Sequence, residues 1–494
     1  MARHDGRLSL PYHSRTVSSK IEHEIKLAVD PEFRLPPLPG PPFSRRLLTS
    51  TYYDTVSHDL AHARVTLQHR VERGKEAWQL KIPLGSDRQE IEVIDRSPLP
   101  PASLRDLLLL HLQHRRLVPV VTLRVWRTGV RIRRSRVPVA EIALDNVSVV
   151  KNGLVIQRFR EIEIEQLGAD DRVVQDLERL LRGAGAREHD GRPKLFRALS
   201  LSAPAPDAPP ERDAPVVDHV KWALAQHVRW LLAHDPGTRL GTESESLHQM
   251  RVATRRLRAV LWAAEPVLVP EWAQSLENEL SWLSEFLGQA RDLDVQIADF
   301  EKEAARLDAR DRKPLAQFVT HLQIQRRRVQ EVVLSELKSA RYLELIRRLQ
   351  LAVHEPSIVE SPVTLRELAK REFKKLRKAI RRLGPSSTHA RLHEVRIKTK
   401  RARYAAELAV WSVGKSVSRF IKRAQAVQDL LGNFQDALQA EVYIRAFLKQ
   451  STNVRAGFVA GRMVERQRQR REDVLAQMKP QLKSLLKRGR QAWG

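Results

Sequence analysis

Between residues 64 and 167 the chain repeatedly alternates apolar and polar side chains with period two. RVTLQHRVE (64–72), EAWQLKIP (76–83), RQEIEV (88–93), VAEIALDNVSVV (139–150) and FREIEIEQL (159–167) all read this way. Such alternation turns one face of each segment inward and the other outward, so these runs predict an antiparallel β domain. Within it, 104–116 and 171–182 carry Leu and Val at steps of three and four and predict helices. From about 216 to 490 the period becomes helical, with Gly and Pro breaks expected at 235–241, 265–270, 355–362 and 384–386. Between the two patterns lies SAPAPDAPPERDAP (202–215), which has no apolar period and reads as an extended linker. The expected organisation is a β domain at 18–200, a linker at 201–215 and an all-α domain at 216–490.

The helical region repeats itself. LHQMRVATRRLRA (247–259) and LHEVRIKTKRARY (392–404) align without a gap at an offset of 145. In the first copy His248, Arg251, Arg255 and Arg258 follow steps of three, four and three, and in the second His393, Arg396, Lys400 and Arg403 do the same. Each set is one stripe on one helix. A neighbouring stripe, Leu247, Met250, Thr254 and Leu257 against Leu392, Val395, Thr399 and Ala402, forms the core face. About forty residues later FLGQARDLDV (286–295) matches LLGNFQDALQ (430–439), setting Asp292 against Asp436. Two homologous bundles, at about 216–355 and 362–490, follow from this repeat.

Charge sharpens the picture. The 494 residues carry 87 Lys and Arg against 59 Asp and Glu, a formal net charge of +28, which points to a polyanionic partner. Most of the excess, +19 against +9, falls after residue 200. A cationic helix face can simply be solvated, yet solvated faces interleave Glu with Lys, and neither stripe contains an acid. Arg offers a bidentate fork for phosphate, and His at the head of each stripe can donate to an anion. Lys374, Lys375, Arg377 and Lys378 in KREFKKLRKAIRR widen the basic surface or are solvated. Charge alone also admits nucleic acid, but no nucleic-acid module or aromatic platform accompanies it.

In the β half, IEHEIKL places Glu22, Glu24 and Lys26 on one strand face, and REIEIEQL does the same for Glu161, Glu163 and Glu165. An open sheet with a wet polar face accounts for either run alone. Carboxylate pairs brought together would instead suit Mg²⁺ or Mn²⁺, hard cations that take oxygen ligands. Arg70, Lys81, Arg88 and Arg127 supply cations at matching positions, and Glu90, Glu141 and Asp145 add acids. With no cysteine, thiolate chemistry and disulfides are excluded. No phosphate-binding Gly loop, H-E-x-x-H spacing or serine nucleophile motif is present. No apolar run approaches the ~20 residues of a membrane span, and MARHDGRLSL has no apolar signal core, so the expected address is the cytoplasm.

The doubled H-x-x-R-x-x-x-[RK]-x-x-R stripe followed by an LG motif resembles the CHAD domain, the conserved histidine α-helical domain. That resemblance implies a pair of four-helix bundles binding inorganic polyphosphate, with association with polyphosphate granules as a further expectation. The ordered series IEHEIK, YYDT (52–55), LQHR (67–70), WQLK (78–81), R-x-E (88–90), Arg127, E-x-x-x-D (141–145) and EIEIE (161–165) is similar to the CYTH superfamily, the triphosphate tunnel metalloenzymes. It implies a closed eight-stranded tunnel that holds a divalent metal on Glu22, Glu24, Glu161 and Glu163. Lys26, Arg70, Lys81, Arg88 and Arg127 would stabilise charge on tripolyphosphate, with Asp145 and Glu165 as further ligands or water-orienting groups. Lys194 falls where relatives carry a lysine after the tunnel strands. Their joint order resembles bacterial inorganic triphosphatases. The chain departs from that pattern at Gln68, where relatives carry arginine, and at DPEFRLPPLPGPPFSRR (30–46), whose prolines exclude the regular helix expected there.

Overall fold

The computed structural model describes residues 17–84, 87–112, 115–168, 171–202, 208–241, 244–384, 388–449 and 454–494. Part of the expected linker, 203–207, lies outside these residues, as do 385–386 of the break expected at 384–386. The chain divides into two compact units, Met1–Pro206 and Asp207–Gly494.

The first unit is a sheet built from β1 (Val17–Glu22), β2 (Glu24–Ala28), β3 (Pro42–Asp54), β4 (Thr66–Glu72), β5 (Lys75–Leu84), β6 (Asp87–Ile94), β7 (Val118–Arg134), β8 (Val137–Lys151), β9 (Leu154–Gln166) and the short β10 (Arg187–Glu188). All pairings are antiparallel, in the order β1-β6-β5-β4-β3-β7-β8-β9-β2-β10. The run from Val17 to Ala28 is therefore two strands. Its first part pairs with β6, setting Glu22 opposite Arg88, and its second with β9, setting Lys26 opposite Glu163. Only His23 separates them, and its carbonyl accepts from the Gln166 N–H at 2.9 Å. One chain segment thus links β1, at one end of the strand order, to β2, beside β9 near the other, so that β1 to β9 wrap around a tunnel rather than the eight strands expected, with the two-residue β10 added outside β2.

Alternation decides what faces inward. On β9, Ile162 and Ile164 are fully buried with Leu27, Ile142, Leu144 and Leu181 on the apolar outer side. That cluster is covered by α4 (Asp171–Gly183), whereas Glu163 and Glu165 face the tunnel. Residues 31–41 form no helix, as their prolines dictate, and Phe33, Leu35 and Leu38 pack on the same outer cluster. The irregular segment is nevertheless shorter than expected, because Pro42 opens β3 and so places Arg46 on a tunnel strand. Small helices α1 (Asp59–His62), α2 (Ala102–Leu107), α3 (Leu109–Leu112) and α5 (Lys194–Ala198) complete the unit. The expected helix at 104–116 is split between α2 and α3, and residues 113–114 lie outside the described set.

Gly129 on β7 shows how tightly the wall is built: an added Cβ would lie 2.0 Å from the Ile142 carbonyl oxygen and 2.6 Å from Phe43 Cζ. Because the first obstacle is backbone, the strand itself must shift. Gly129→Ala is expected to lower stability by about 1–3 kcal/mol in urea unfolding of the whole chain, and an unchanged midpoint would refute this.

The second unit contains α6 (Val216–Leu240), α7 (Ser244–Ala264), α8 (Pro270–Ala304), α9 (Ala309–Leu337) and α10 (Ala340–His354), followed by α11 (Leu365–Arg381), α12 (His389–Val413), α13 (Lys415–Leu448) and α14 (Val454–Trp493). The fourth helix of the first bundle is broken into α9 and α10, where Ser339 Oγ accepts from the Tyr342 N–H at 3.2 Å. In the second bundle the corresponding helix, α14, runs unbroken for 40 residues. The two bundles meet through α7 and α12 and through an apolar cluster including Phe300, Phe318, Ile444 and Met463.

The break expected at 235–241 comes later, since α6 continues through Pro236 and ends at Gly241, whose φ is +67°. Pro236 costs a backbone hydrogen bond. A buried polar cluster holds the turn in place: Arg239 Nε donates to Asp235 Oδ2 at 2.7 Å, its guanidinium also reaches the Leu337 carbonyl, and Tyr342 Oη donates to Asp235 Oδ1 at 2.9 Å.

Candidate functional site

The tunnel encloses a cavity of about 280 Å³ lined by strands β1 to β9 and by Lys194 at the start of α5. Nine carboxylates and eight cations line it. Lys81 Nζ lies 2.7 Å from Glu22 Oε2 and 2.9 Å from Glu90 Oε2. Burial opposes its charge, but Glu90 and then Glu22 hold the ammonium above its usual range. Lys26 Nζ donates to Glu163 Oε1 at 2.7 Å and lies 3.4 Å from Glu24. Arg127 is bidentate to Asp145 at 2.7 and 2.6 Å and also reaches Glu163 at 2.5 Å. Burial disfavours the Glu163 carboxylate, yet Lys194, Lys26 and Arg127 hold it well below the usual range.

Two expected cations differ from the rest. Arg70 and Arg88 line the cavity without a carboxylate partner among the described residues, and Arg70 Nε is buried with no hydrogen bond. Their donors are open to an added anion. Gln68, buried at 1% exposure, donates to Gln79 Oε1 at 2.7 Å, and Gln79 in turn donates to Glu92 at 2.6 Å. An amide chain therefore runs across β4, β5 and β6 where an arginine would place charge.

The carboxylates expected to hold metal are not equivalent. Glu22, Glu24 and Glu163 line the cavity, as do Glu90, Glu141, Asp145 and Glu165. Glu161 does not: it is fully buried behind Lys194, with Arg197 Nη1 at 3.2 Å and His189 Nε2 at 3.4 Å. Among the described residues no group of three or more His, Asp and Glu stands arranged for a metal ion, and the Lys26 and Lys194 ammonium groups lie against Glu163 and Glu161. Lys20 and Arg46 also line the tunnel and were missed. Lys20 precedes Glu22 by two and shares its face, a legible signal, whereas Arg46 was hidden by the prolines beside it.

In the helical unit α7 and α12 bring their stripes together. Burial, and then Arg396, Arg255, Arg251 and Arg403, push the Lys400 ammonium down to about 7. Arg251 and Arg396 are also lowered, by burial first and with neighbouring arginines contributing. The Nε atoms of Arg255, Arg396 and Arg403 and Nδ1 of His248 are buried without hydrogen bonds. Arg291, which the stripes omit, is the largest charge acting on His248. Gly288 and Gly432, matched in the repeat, each lie beneath a guanidinium, that of Arg251 at 3.8 Å and that of Arg396 at 3.7 Å from an added Cβ.

Other stripe members are already paired or are exposed. Arg258 is bound by Glu277 at 2.9 and 2.7 Å, Arg403 Nη1 pairs with Glu407 at 3.0 Å, and His393 is exposed. Lys374, Lys375 and Lys378 lie on the exposed face of α11, Lys375 pairs with Glu372 at 2.6 Å, and Arg377 is half-buried. No helix among the described residues is long and apolar enough to cross a membrane.

Residues 20–191 match the CYTH domain family and residues 223–445 the CHAD domain family. A Mycobacterium tuberculosis protein, Uncharacterized protein Rv2226, is 29% identical over 484 residues, spanning 90% of this chain and 91% of its own. Among solved structures, PptA from Streptomyces chartreusis is 19% identical, covering 55% of this chain and 100% of that one, with a TM-score of 0.47. The CHAD domain from the plant Ricinus communis is 26% identical, covering 57% of this chain and 96% of that one, also with a TM-score of 0.47.

Proposed function

The chain is a CYTH domain followed by a CHAD domain, and from that premise we propose that its tunnel hydrolyses inorganic tripolyphosphate with a divalent metal while its helical unit binds inorganic polyphosphate. The observation that carries the first part is the pair of unengaged guanidiniums, Arg70 and Arg88, in a closed cavity whose other cations are held on carboxylates. An anion rich in phosphoryl oxygens can take the two free forks first. It then draws Lys26, Lys81 and Arg127 from their acids.

The donor types suit a hard cation. Glu22, Glu24 and Glu163 present only oxygens to the cavity, while Glu161 lies behind Lys194, whose Nζ is 2.8 Å from its Oε1. These residues would hold Mg²⁺ or Mn²⁺, which neutralises a phosphate chain and polarises a phosphoryl oxygen when bound. The chain's own cations stabilise charge as the P–O bond to the leaving pyrophosphate lengthens, and the enclosing wall limits bulk water around the reacting phosphate. Glu165 and Asp145, which line the cavity, would serve as further ligands or orient a water molecule. The test is ³¹P spectroscopy of the products: tripolyphosphate should yield pyrophosphate and phosphate, and no conversion would reject the reading. A binding protein with a silent tunnel is the second reading, favoured by the neutral Gln68–Gln79 pair.

In the helical unit the depressed Lys400 supports the reading, since burial and then the neighbouring arginines disfavour its charge, and an added anion offsets both. The sign is definite. With Lys400 pushed down to about 7, the free protein is expected to lose this proton above that pH, and a bound phosphate chain favours the charged form, so binding should take up a proton there and weaken as pH rises. Calorimetry of polyphosphate binding at pH 8, in two buffers of different ionisation enthalpy, should show uptake approaching about one proton per site. Lys400→Arg should remove the uptake while preserving binding. Equal heats in both buffers for the unaltered chain would contradict this.

A further inference from the structure

Three carboxylates in the tunnel wall converge on one ammonium. Lys194 Nζ lies 2.6 Å from Glu163 Oε1, 2.8 Å from Glu161 Oε1 and 2.9 Å from Asp145 Oδ2. Only the contact with Glu163 has the direction of a hydrogen bond, and Glu161 Oε1, fully buried, has none. The arrangement is thus held by charge, with oxygens from β8 and β9 gathered around a cation brought by α5. Lys26 Nζ leans on the same oxygens from the other side, 2.7 Å from Glu163 Oε1 and 3.7 Å from Glu161 Oε1.

Resting on the triphosphatase reading, we propose that Lys194 occupies the place of a divalent cation in the resting tunnel, so that metal and tripolyphosphate bind as a linked pair. The charge count requires such an exchange. The lining is close to neutral, so a phosphate chain arriving alone strands carboxylates as it draws lysines away, and a metal arriving alone must share its oxygens with an ammonium. When both arrive, the phosphate takes Lys194 and Lys26, and the metal takes Glu163 with Asp145 or Glu161. Each ligand removes the obstacle to the other, which is positive linkage and is reciprocal. Lys194 is a positioning residue in the resting state and a phosphate ligand in the loaded one.

The experiment measures Mn²⁺ binding to the full chain by electron paramagnetic resonance of the free ion, with and without the imido analogue of tripolyphosphate, allowing for the metal–analogue complex formed in solution. In the unaltered chain the analogue should tighten Mn²⁺ binding at least about tenfold. Lys194→Met should bind Mn²⁺ without analogue about tenfold more tightly than the unaltered chain and lose most of the linkage. Lys194→Gln, which keeps a polar group beside the buried acids, provides the same comparison if the Met variant unfolds. Equal Mn²⁺ affinity with and without bound analogue, or no gain in either folded variant, overturns the proposal while leaving the triphosphatase reading intact. If calorimetry shows no analogue binding to the chain even with Mn²⁺ present, both fall together.

Discussion

Glu22→Gln is expected to reduce phosphate release from tripolyphosphate by about 10²-fold or more, while polyphosphate binding by the helical unit changes little. The Glu22 side chain is 8% exposed and receives Lys81 at 2.7 Å, so the substitution keeps its size and removes its charge where two cations are balanced against it. Lys81 keeps Glu90 as a partner, and its ammonium stays in place. What is lost is a carboxylate oxygen able to ligate metal at the mouth where Glu22, Glu24 and Arg88 also line a second, smaller cavity with His189. Phosphate release and polyphosphate binding measured on one preparation separate the two functions. Turnover within about twofold of the unaltered chain would remove Glu22 from the machinery.

The second large effect concerns the helical cleft. Reversing Arg251 and Arg396 together to Glu should weaken polyphosphate binding by about 10²-fold and reduce its dependence on salt, with tripolyphosphate turnover unchanged. Both arginines are half-buried, each sits over a repeat glycine, and each faces a carboxylate, Asp292 or Asp436. Each substitution therefore replaces a cation by an anion in a partly desolvated place, where the interaction is stronger than in water. Circular dichroism guards against unfolding, since Glu beside Asp292 or Asp436 is repulsive. Binding that survives in the folded double variant would exclude the cleft as the polyphosphate site.

The repeat was the most legible feature of the chain, because matched side chains at an offset of 145 mark α7 and α12 without knowledge of how they meet. Tunnel strands were legible for a related reason: Glu163 and Glu165 alternate with Ile162 and Ile164, and period two survives in any antiparallel sheet. Closure was less so. Nothing near His23 announces that Glu22 pairs toward β6 and Glu24 toward β9, since strand partners depend on residues more than sixty positions away. Ion pairing was hidden for the same reason. Glu161 and Glu163 look equivalent in EIEIE, but α5 arrives from thirty residues downstream, leaving one at the cavity and the other behind Lys194. Pro236 was misleading because the Asp235, Arg239 and Tyr342 cluster that sustains α6 joins two helices a hundred residues apart.

The central claim is that the tunnel is an enzyme, and phosphate release from tripolyphosphate by the purified chain, with Mg²⁺, with Mn²⁺ and with chelator, tests it most directly. Release that requires metal and stops with chelator is the predicted result. No release with either metal, while long polyphosphate still binds, would contradict it and leave a binding protein whose Gln68 and Gln79 mark a tunnel without turnover.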